Sequence, residues 1–313
     1  MIAWPHGKTF AFTVFDDTDW STRENASPVY DFLADCGFRT TKSVWPLRGT
    51  RRPRVGGATC DDPEYLRWVK SLAARGFEIA YHMATFHTST REETERGLER
   101  FRREFGGWPR TMANHADCEE NIYWGDARLS GLNRAAYNVL TRGRNRGRFR
   151  GHIEGDPLFW GDLCRQRISY VRNFVFPETN TLTACPRMPY RDPERPFVAA
   201  WFASSAGGDV GIFNETLSET GQERLETEGG ACIMYTHFAK GFVEDGRVHP
   251  RFAELLKRLA DRPGWFVPAA TLLDFLVEYR GIHTLTDKER SALERRWLVR
   301  RARRGGEAGG VAR

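Results

Sequence analysis

An α/β fold, with a largely parallel sheet and helices outside it, is what this sequence of 313 residues predicts. Three observations point there. Short apolar runs that read as buried strands alternate with segments of helical spacing. Turn and cap signals fall between them, and enough strand–helix repeats occur for a closed or nearly closed barrel. Several of the strands end in polar, reactive residues, as strands do where a parallel sheet builds its site.

The elements follow in order. Residues 9–15, Thr-Phe-Ala-Phe-Thr-Val-Phe, read as a buried strand running into Asp16-Asp17. Ser27-Pro28 opens a helix to about Cys36, since Pro is tolerated in a first turn, and Gly37 stops it. A second strand covers roughly 38–45. Asp62-Pro63 starts a helix that ends near Arg75-Gly76. Phe77–Tyr81 is the third strand, ending at His82. Thr90 and Glu93 form a capping box before a helix whose Leu98, Phe101 and Phe105 share one face. A short strand near 110–113 follows.

The middle of the chain is less regular. Residues 130–140 look helical, 142–150 form an exposed Arg/Gly-rich loop and 170–176 a strand, while 177–196 hold five prolines and little periodicity. A helix is expected from about 214. Ala231–Tyr235 is a buried strand reaching Thr236-His237. Residues 250–260 are helical, 265–267 strand-like and 269–279 helical. A barrel unit over 1–283 is therefore expected. A basic helix over 284–304, capped by Thr286 and Glu289, and a disordered tail over 305–313 complete the chain.

Composition narrows the class. Hydrophobic residues make up 40% and aromatics 13%, enough for a sizeable core. No stretch approaches the roughly 18 apolar residues of a membrane span, and no secretory leader pattern opens the chain, so a cytoplasmic location is expected. The six cysteines show no CxxC spacing and read as reduced thiols. The net charge of +6 is localised. The arginines at 142, 144, 146, 148 and 150 carry +5, the segment from Asp287 to Arg304 another +5, and the remainder is mildly acidic. The arginine loop reads as solvated, with contact to a substrate phosphate the alternative. The terminal helix reads as a charged face, with an anionic membrane surface the alternative. No nucleic-acid-binding module is recognisable.

Four expected strand ends carry chemistry: Asp16-Asp17-Thr18-Asp19, His82 with His87 soon after, Asn114-His115-Ala116-Asp117, and His237. Aspartate and histidine together suit a borderline metal with open positions for water and substrate. A second aspartate at the same strand end can serve as general base, because adjacent residues point in different directions. Asp19, Asn114 and His115 are candidate pocket residues, and Trp124 a candidate sugar-stacking face. Solvent-facing loop placement and core packing are the plainer readings of these residues.

In these segments the chain resembles the polysaccharide deacetylases, carbohydrate esterase family four. Phe12-Thr13-Val14-Phe15-Asp16-Asp17 is similar to the family's strand followed by Thr-Phe-Asp-Asp. Gly76-Phe77-Glu78-Ile79-Ala80-Tyr81-His82, then His87, resembles its second motif, and Ile233-Met234-Tyr235-Thr236-His237 its late one. The resemblance implies a distorted (β/α)7-type barrel, with the C-terminal helix as an addition. It implies Asp17, His82 and His87 as ligands of a divalent metal, zinc foremost, with Asp16 as base and His237 as acid. Two features depart from the pattern. The histidines are five apart rather than four, and the motif arginine has no counterpart in register, Arg110 being the nearest in sequence. The segments 113–125 and 235–242 resemble the deacetylase-like proteins of bacterial O-antigen loci.

The implied activity is metal-dependent removal of an acetyl group from an N-acetylated sugar or sugar precursor, nucleotide-linked or lipid-linked, in surface-polysaccharide biosynthesis. Two alternatives remain open on the same residues. One is hydrolysis of a non-sugar amide or cyclic imide. The other is a non-catalytic carbohydrate-binding relative.

Overall fold

The structure, a computed structural model, describes residues 2–303. The expected disordered tail and Arg304 lie outside the described residues. Seven parallel strands close a barrel: β1 (Phe10–Asp16), β2 (Thr41–Val44), β3 (Glu78–Tyr81), β4 (Thr111–Met112), β5 (Tyr170–Phe176), β7 (Trp201–Ala206) and β8 (Ala231–Thr236). Closure comes from β8, which pairs with β7 on one side and with β1 on the other, Ala11 opposite Ala231 through Asp16 opposite Thr236. β11 (Gly264–Phe266) pairs in parallel with the start of β1. Outside the ring, β6 (Tyr190–Arg191) pairs antiparallel with β7 and parallel with β12 (His283–Thr284). β9 (Val243–Glu244) and β10 (Arg247–Val248) form a small hairpin.

The helices are α1 (Arg23–Asp35), α2 (Pro63–Ala74), α3 (Arg91–Phe105), α4 (Gly131–Leu140), α5 (Gly161–Arg167), α6 (Thr181–Ala184), α7 (Val210–Thr216), α8 (Glu219–Glu228), α9 (Pro250–Ala260), α10 (Ala269–Arg280) and α11 (Asp287–Arg303). The predicted caps are in place at α2, where Asp62 accepts from Glu64 N, and at α3, where Thr90 and Glu93 cap each other. Thr286 and Glu289 do the same before α11. No helix among the described residues is long and apolar enough to cross a membrane. All six cysteines are free.

Besides the short strands outside the ring and the helices α5 and α6, two elements of the barrel differ from expectation. α1 begins near Arg23, not at Ser27, because Thr22 and Asn25 form a capping box that starts the helix upstream and leaves Pro28 inside it. Strand β7 was not expected from its sequence, Trp-Phe-Ala-Ser-Ser-Ala. All six residues are buried, yet two are serines, so neither an apolar run nor an alternation marks it.

β1 shows how the fold positions its chemistry. All seven of its residues are buried, as in a strand covered on both faces. Side chains alternate: Phe12 packs on Phe38, whereas Phe15 packs on Phe202 of β7, across the barrel interior. At the end of the strand, Asp16 faces the helices and Asp17 faces the interior.

Candidate active site

The alternation sends the two adjacent aspartates into different surroundings. Asp16 is fully buried beneath α1. Lys42 of β2 lies 3.0 Å from its Oδ2, Tyr30 of α1 donates to the same oxygen at 3.0 Å, and Phe238 N donates to Oδ1 at 2.8 Å. Burial works against the Lys42 ammonium, but Asp16 outweighs it and raises the lysine pKa. Both oxygens of Asp16 are therefore engaged in holding β1, β2, α1 and the turn after β8 together.

Asp17 points inward to Arg172, from β5. The guanidinium donates Nη1 to Oδ1 at 2.8 Å and Nη2 to Oδ2 at 2.5 Å, a bidentate pair with both residues almost fully buried. Arg172 is itself held over the rings of Tyr235 and Phe15, at 4.5 and 5.1 Å from their centroids. Burial would raise the Asp17 pKa. Arg172, assisted by His82 and His237, reverses that and holds the carboxyl below its usual value. The arginine that pairs with this aspartate is Arg172, and Arg110, the nearest in sequence to the expected position, is instead paired with Asp274. Arg172 arrives from a strand far along the chain, and its only sequence signal is a charge inside the apolar run Tyr170–Phe176.

Three ligand-type side chains converge on one point, and they are Asp19, His82 and His115. Asp19 Oδ1 lies 3.1 Å from His82 Nε2 and 3.1 Å from His115 Nδ1. His237 Nε2 is 3.4 Å from the other oxygen, Oδ2. Both imidazoles are 1% exposed and the Asp19 side chain 13%. Burial disfavours the Asp19 carboxylate, but His115, His237 and His82 together hold its pKa well below the usual range. Burial likewise disfavours a His115 cation, and Asp19 overrides it, raising the pKa.

These residues fit a metal. His115 Nδ1, although 3.1 Å from the carboxylate oxygen, makes no hydrogen bond, and neither does its Nε2 nor His82 Nδ1. Buried polar atoms are nearly always partnered, so an orphaned ring nitrogen only 3.1 Å from a carboxylate oxygen is what a shared cation position would leave. Two imidazoles and a carboxylate suit a borderline divalent ion.

The sequence grouped the ligands differently. His82 is in the cluster, but His87 is elsewhere. Its Nε2 accepts from Thr50 N at 2.9 Å and Arg51 N at 3.3 Å, and its Nδ1 donates to Thr88 O at 2.8 Å. It pins the loop after β2 to the loop after β3. Asp17 is engaged by Arg172. The group that could hold a metal has Asp19, two residues further on than Asp17, and His115, at the end of a different strand from the one before His87.

The remaining candidates divide as follows. His237, at the end of β8, donates Nδ1–H to Gly208 O at 2.8 Å, which leaves Nε2 facing Asp19. Asn114 does not line the site: its amide clamps Ile122 through N–H and C=O, each at 3.0 Å. Asn121 grips the backbone of His115 in the same way, at 3.2 and 2.6 Å, so two asparagines fix the loop that carries His115. Trp124 is covered by the Arg128 guanidinium, 3.1 Å from its ring centroid, with Trp297 on the far side at 5.5 Å. One of its faces is occupied by protein. Trp20, by contrast, is 39% exposed, lies edge-on to His237 and has Lys240 Nζ 4.4 Å from its centroid.

No protein-family model matches the chain. No curated protein matches it either. Solved structures do. A Mycobacterium smegmatis protein provisionally named a polysaccharide deacetylase has a TM-score of 0.50 at 13% identity, over 91% of this chain and 96% of that one. PuuE allantoinase has a TM-score of 0.47 at 12% identity, over 89% and 94% of the two chains. A second provisionally named polysaccharide deacetylase, from Pseudomonas aeruginosa PAO1, has 0.47 at 12% identity over 90% and 95%. Identities this low speak to architecture alone, and the architecture is clear: this chain has the barrel fold of the polysaccharide deacetylases, with an aspartate and two histidines gathered at the C-terminal rim.

Proposed function

We propose that this protein is a metal-dependent hydrolase that removes an acetyl group from an N-acetylated sugar or sugar precursor in surface-polysaccharide biosynthesis. A nucleotide-linked or lipid-linked sugar in the cytoplasm is the substrate proposed. The observation that carries the reading is the convergence of Asp19, His82 and His115, with an unpartnered His115 nitrogen facing the carboxylate.

The metal, zinc in this proposal, would be held by those three side chains and would supply Lewis acidity and an acidified water. Asp17 takes the role of base in place of Asp16. It faces the barrel interior, and Arg172 keeps it ionised and oriented, so it can accept a proton from the attacking water. Asp16 is set aside because it faces the helix layer, held there by Lys42, Tyr30 and Phe238 N, while Asp17 faces the interior on the side of Asp19 and the histidines. His237 takes the role of acid. With Nδ1–H fixed on Gly208 O, its Nε2 is the atom that can hold a proton and deliver it to the leaving amine. The exposed ring of Trp20 offers a flat apolar face for a sugar at the mouth.

The test is metal analysis on the purified protein, followed by acetate release from a panel of acetylated nucleotide-sugars with and without chelator. Chelator-sensitive release is expected. Bound metal with no release from any member would move the substrate to a non-sugar amide or cyclic imide. Absence of stoichiometric metal would favour a carbohydrate-binding relative without catalysis.

A further inference from the structure

α4 is mounted inside out. Its inner face meets the protein through polar and aromatic contacts. Asn133 donates to Glu294 and to Ser291 O of α11, Arg134 donates to Asp126 at 2.8 Å, and Tyr137 stacks on Trp297. The residues at i, i+3, i+4, i+7 and i+8, namely Leu132, Ala135, Ala136, Val139 and Leu140, form a continuous apolar stripe on the outer face, and all five are exposed. Leu132 is 89% exposed, Val139 78% and Leu140 58%. Single exposed apolar residues are ordinary, whereas an apolar stripe turned to solvent along a whole helix marks an interaction surface.

Charge identifies what covers it. Immediately after α4 the chain folds into tight turns, Arg142 N donating to Val139 O, Arg144 N to Thr141 O and Arg146 N to Gly143 O. Arg142, Arg144 and Arg146 are exposed there, and among the described residues none has a carboxylate partner. Arg150, which closes the series, is paired with Glu119 and Asp156. The helix dipole accounts for a cation or two near the last turn, but not for three unpaired ones in a row. A second copy of this chain fits poorly: a parallel two-fold contact through the stripe would bring two sets of arginines together, and an antiparallel one would still leave both sets without an anionic partner. An apolar stripe bordered by unpaired arginines matches a bilayer of anionic phospholipid: side chains enter the acyl boundary while guanidinium groups meet the headgroups.

We propose that α4 and the arginine-bearing turns after it dock this protein on an anionic membrane surface. The proposal is independent of the hydrolase reading and is tested without any activity measurement. Full-length protein is co-sedimented with vesicles of phosphatidylcholine alone and of phosphatidylcholine with about 30% phosphatidylserine. Binding to the anionic vesicles only is expected, and weakening as salt rises from about 0.1 to about 0.5 M. The triple variant R142Q/R144Q/R146Q should lose on the order of 100-fold in partitioning, from about 1 kcal/mol for each arginine at the surface. Leu132→Gln with Val139→Gln should abolish binding while circular dichroism and Tm stay unchanged, because both side chains already lie in solvent. Failure to bind anionic vesicles, or equal binding to phosphatidylcholine alone, overturns the proposal. So does a wild-type dimer that the Leu132/Val139 variant turns into a monomer in sedimentation, which would make the stripe a contact between copies.

Discussion

At the scale of single residues, the site turns on which nitrogen has a partner. His87 has four, three backbone groups and the Thr85 hydroxyl, whereas neither ring nitrogen of His115 makes a hydrogen bond, although Nδ1 lies 3.1 Å from Asp19. Replacing His115 with alanine, or Asp19 with asparagine, should therefore cost at least about 100-fold in metal affinity. His87→Ala should leave metal stoichiometry unchanged. Competition with a metal indicator measures both, and metal loss in His87→Ala with retention in His115→Ala would reverse the assignment. Arg172 gives a second case. Because the Asp17 pKa is held below its ordinary value of 3.8, the pair contributes stability at any pH above that value. The contribution fades as pH falls through the lowered pKa. Arg172→Met leaves a buried carboxylate without its cation, at a cost of about 3–5 kcal/mol near neutrality. Denaturation at pH 7 and pH 4 should show a smaller deficit in acid, where the variant's Asp17 takes up a proton.

At the scale of elements, much was legible and the reasons are local. The capping boxes at Thr90/Glu93 and Thr286/Glu289 name their helices because the bonds involved span three residues. β1 and β8 announce themselves as apolar runs because parallel strands are covered on both faces. β7 is silent, since Ser204 and Ser205 are buried by its neighbours and not by their own chemistry. The loop carrying His115 is held by a device the sequence does not advertise, the reciprocal grips of Asn114 on Ile122 and of Asn121 on His115. Asn121→Ala should loosen that loop and weaken metal binding about 10–100-fold with little change in fold, as supporting contacts of a metal ligand do. Unchanged affinity by the same indicator assay would show that the loop needs no such lock.

At the scale of the whole molecule, α11 is part of the packed body. Glu294 is 1% exposed and receives Arg195 at 3.0 Å, along with Ser130 N and Oγ at 3.0 Å each. Arg195 and Arg290 both reach the buried Asp192. This network ties the terminal helix to α4 and to the strand pair outside the barrel, and it holds Trp297 against Phe174 and Tyr137. Removing one member leaves the others desolvated without full compensation. Glu294→Ala should cost about 3 kcal/mol in urea unfolding. A loss below about 0.5 kcal/mol, typical of exposed sites, would mean that α11 is only laid on the surface.

What the sequence settled by itself were features written in neighbours. These include the βα alternation, most helix starts, and the placing of aspartates and histidines at strand ends, where a parallel barrel gathers its chemistry. The grouping of those side chains was left to the tertiary structure. Strand alternation assigns Asp16 to the helix layer and Asp17 to the interior, and whether the base, the ligand or neither sits at a given rim position depends on which face is inside. The cluster that could hold a metal takes in His115, and Asp17 is paired with Arg172, residues 33 and 155 positions away from the His82 and Asp17 they meet. Such distances are crossed only when the barrel closes, because coordination depends on atoms meeting within a few ångströms and carries no signature in local spacing.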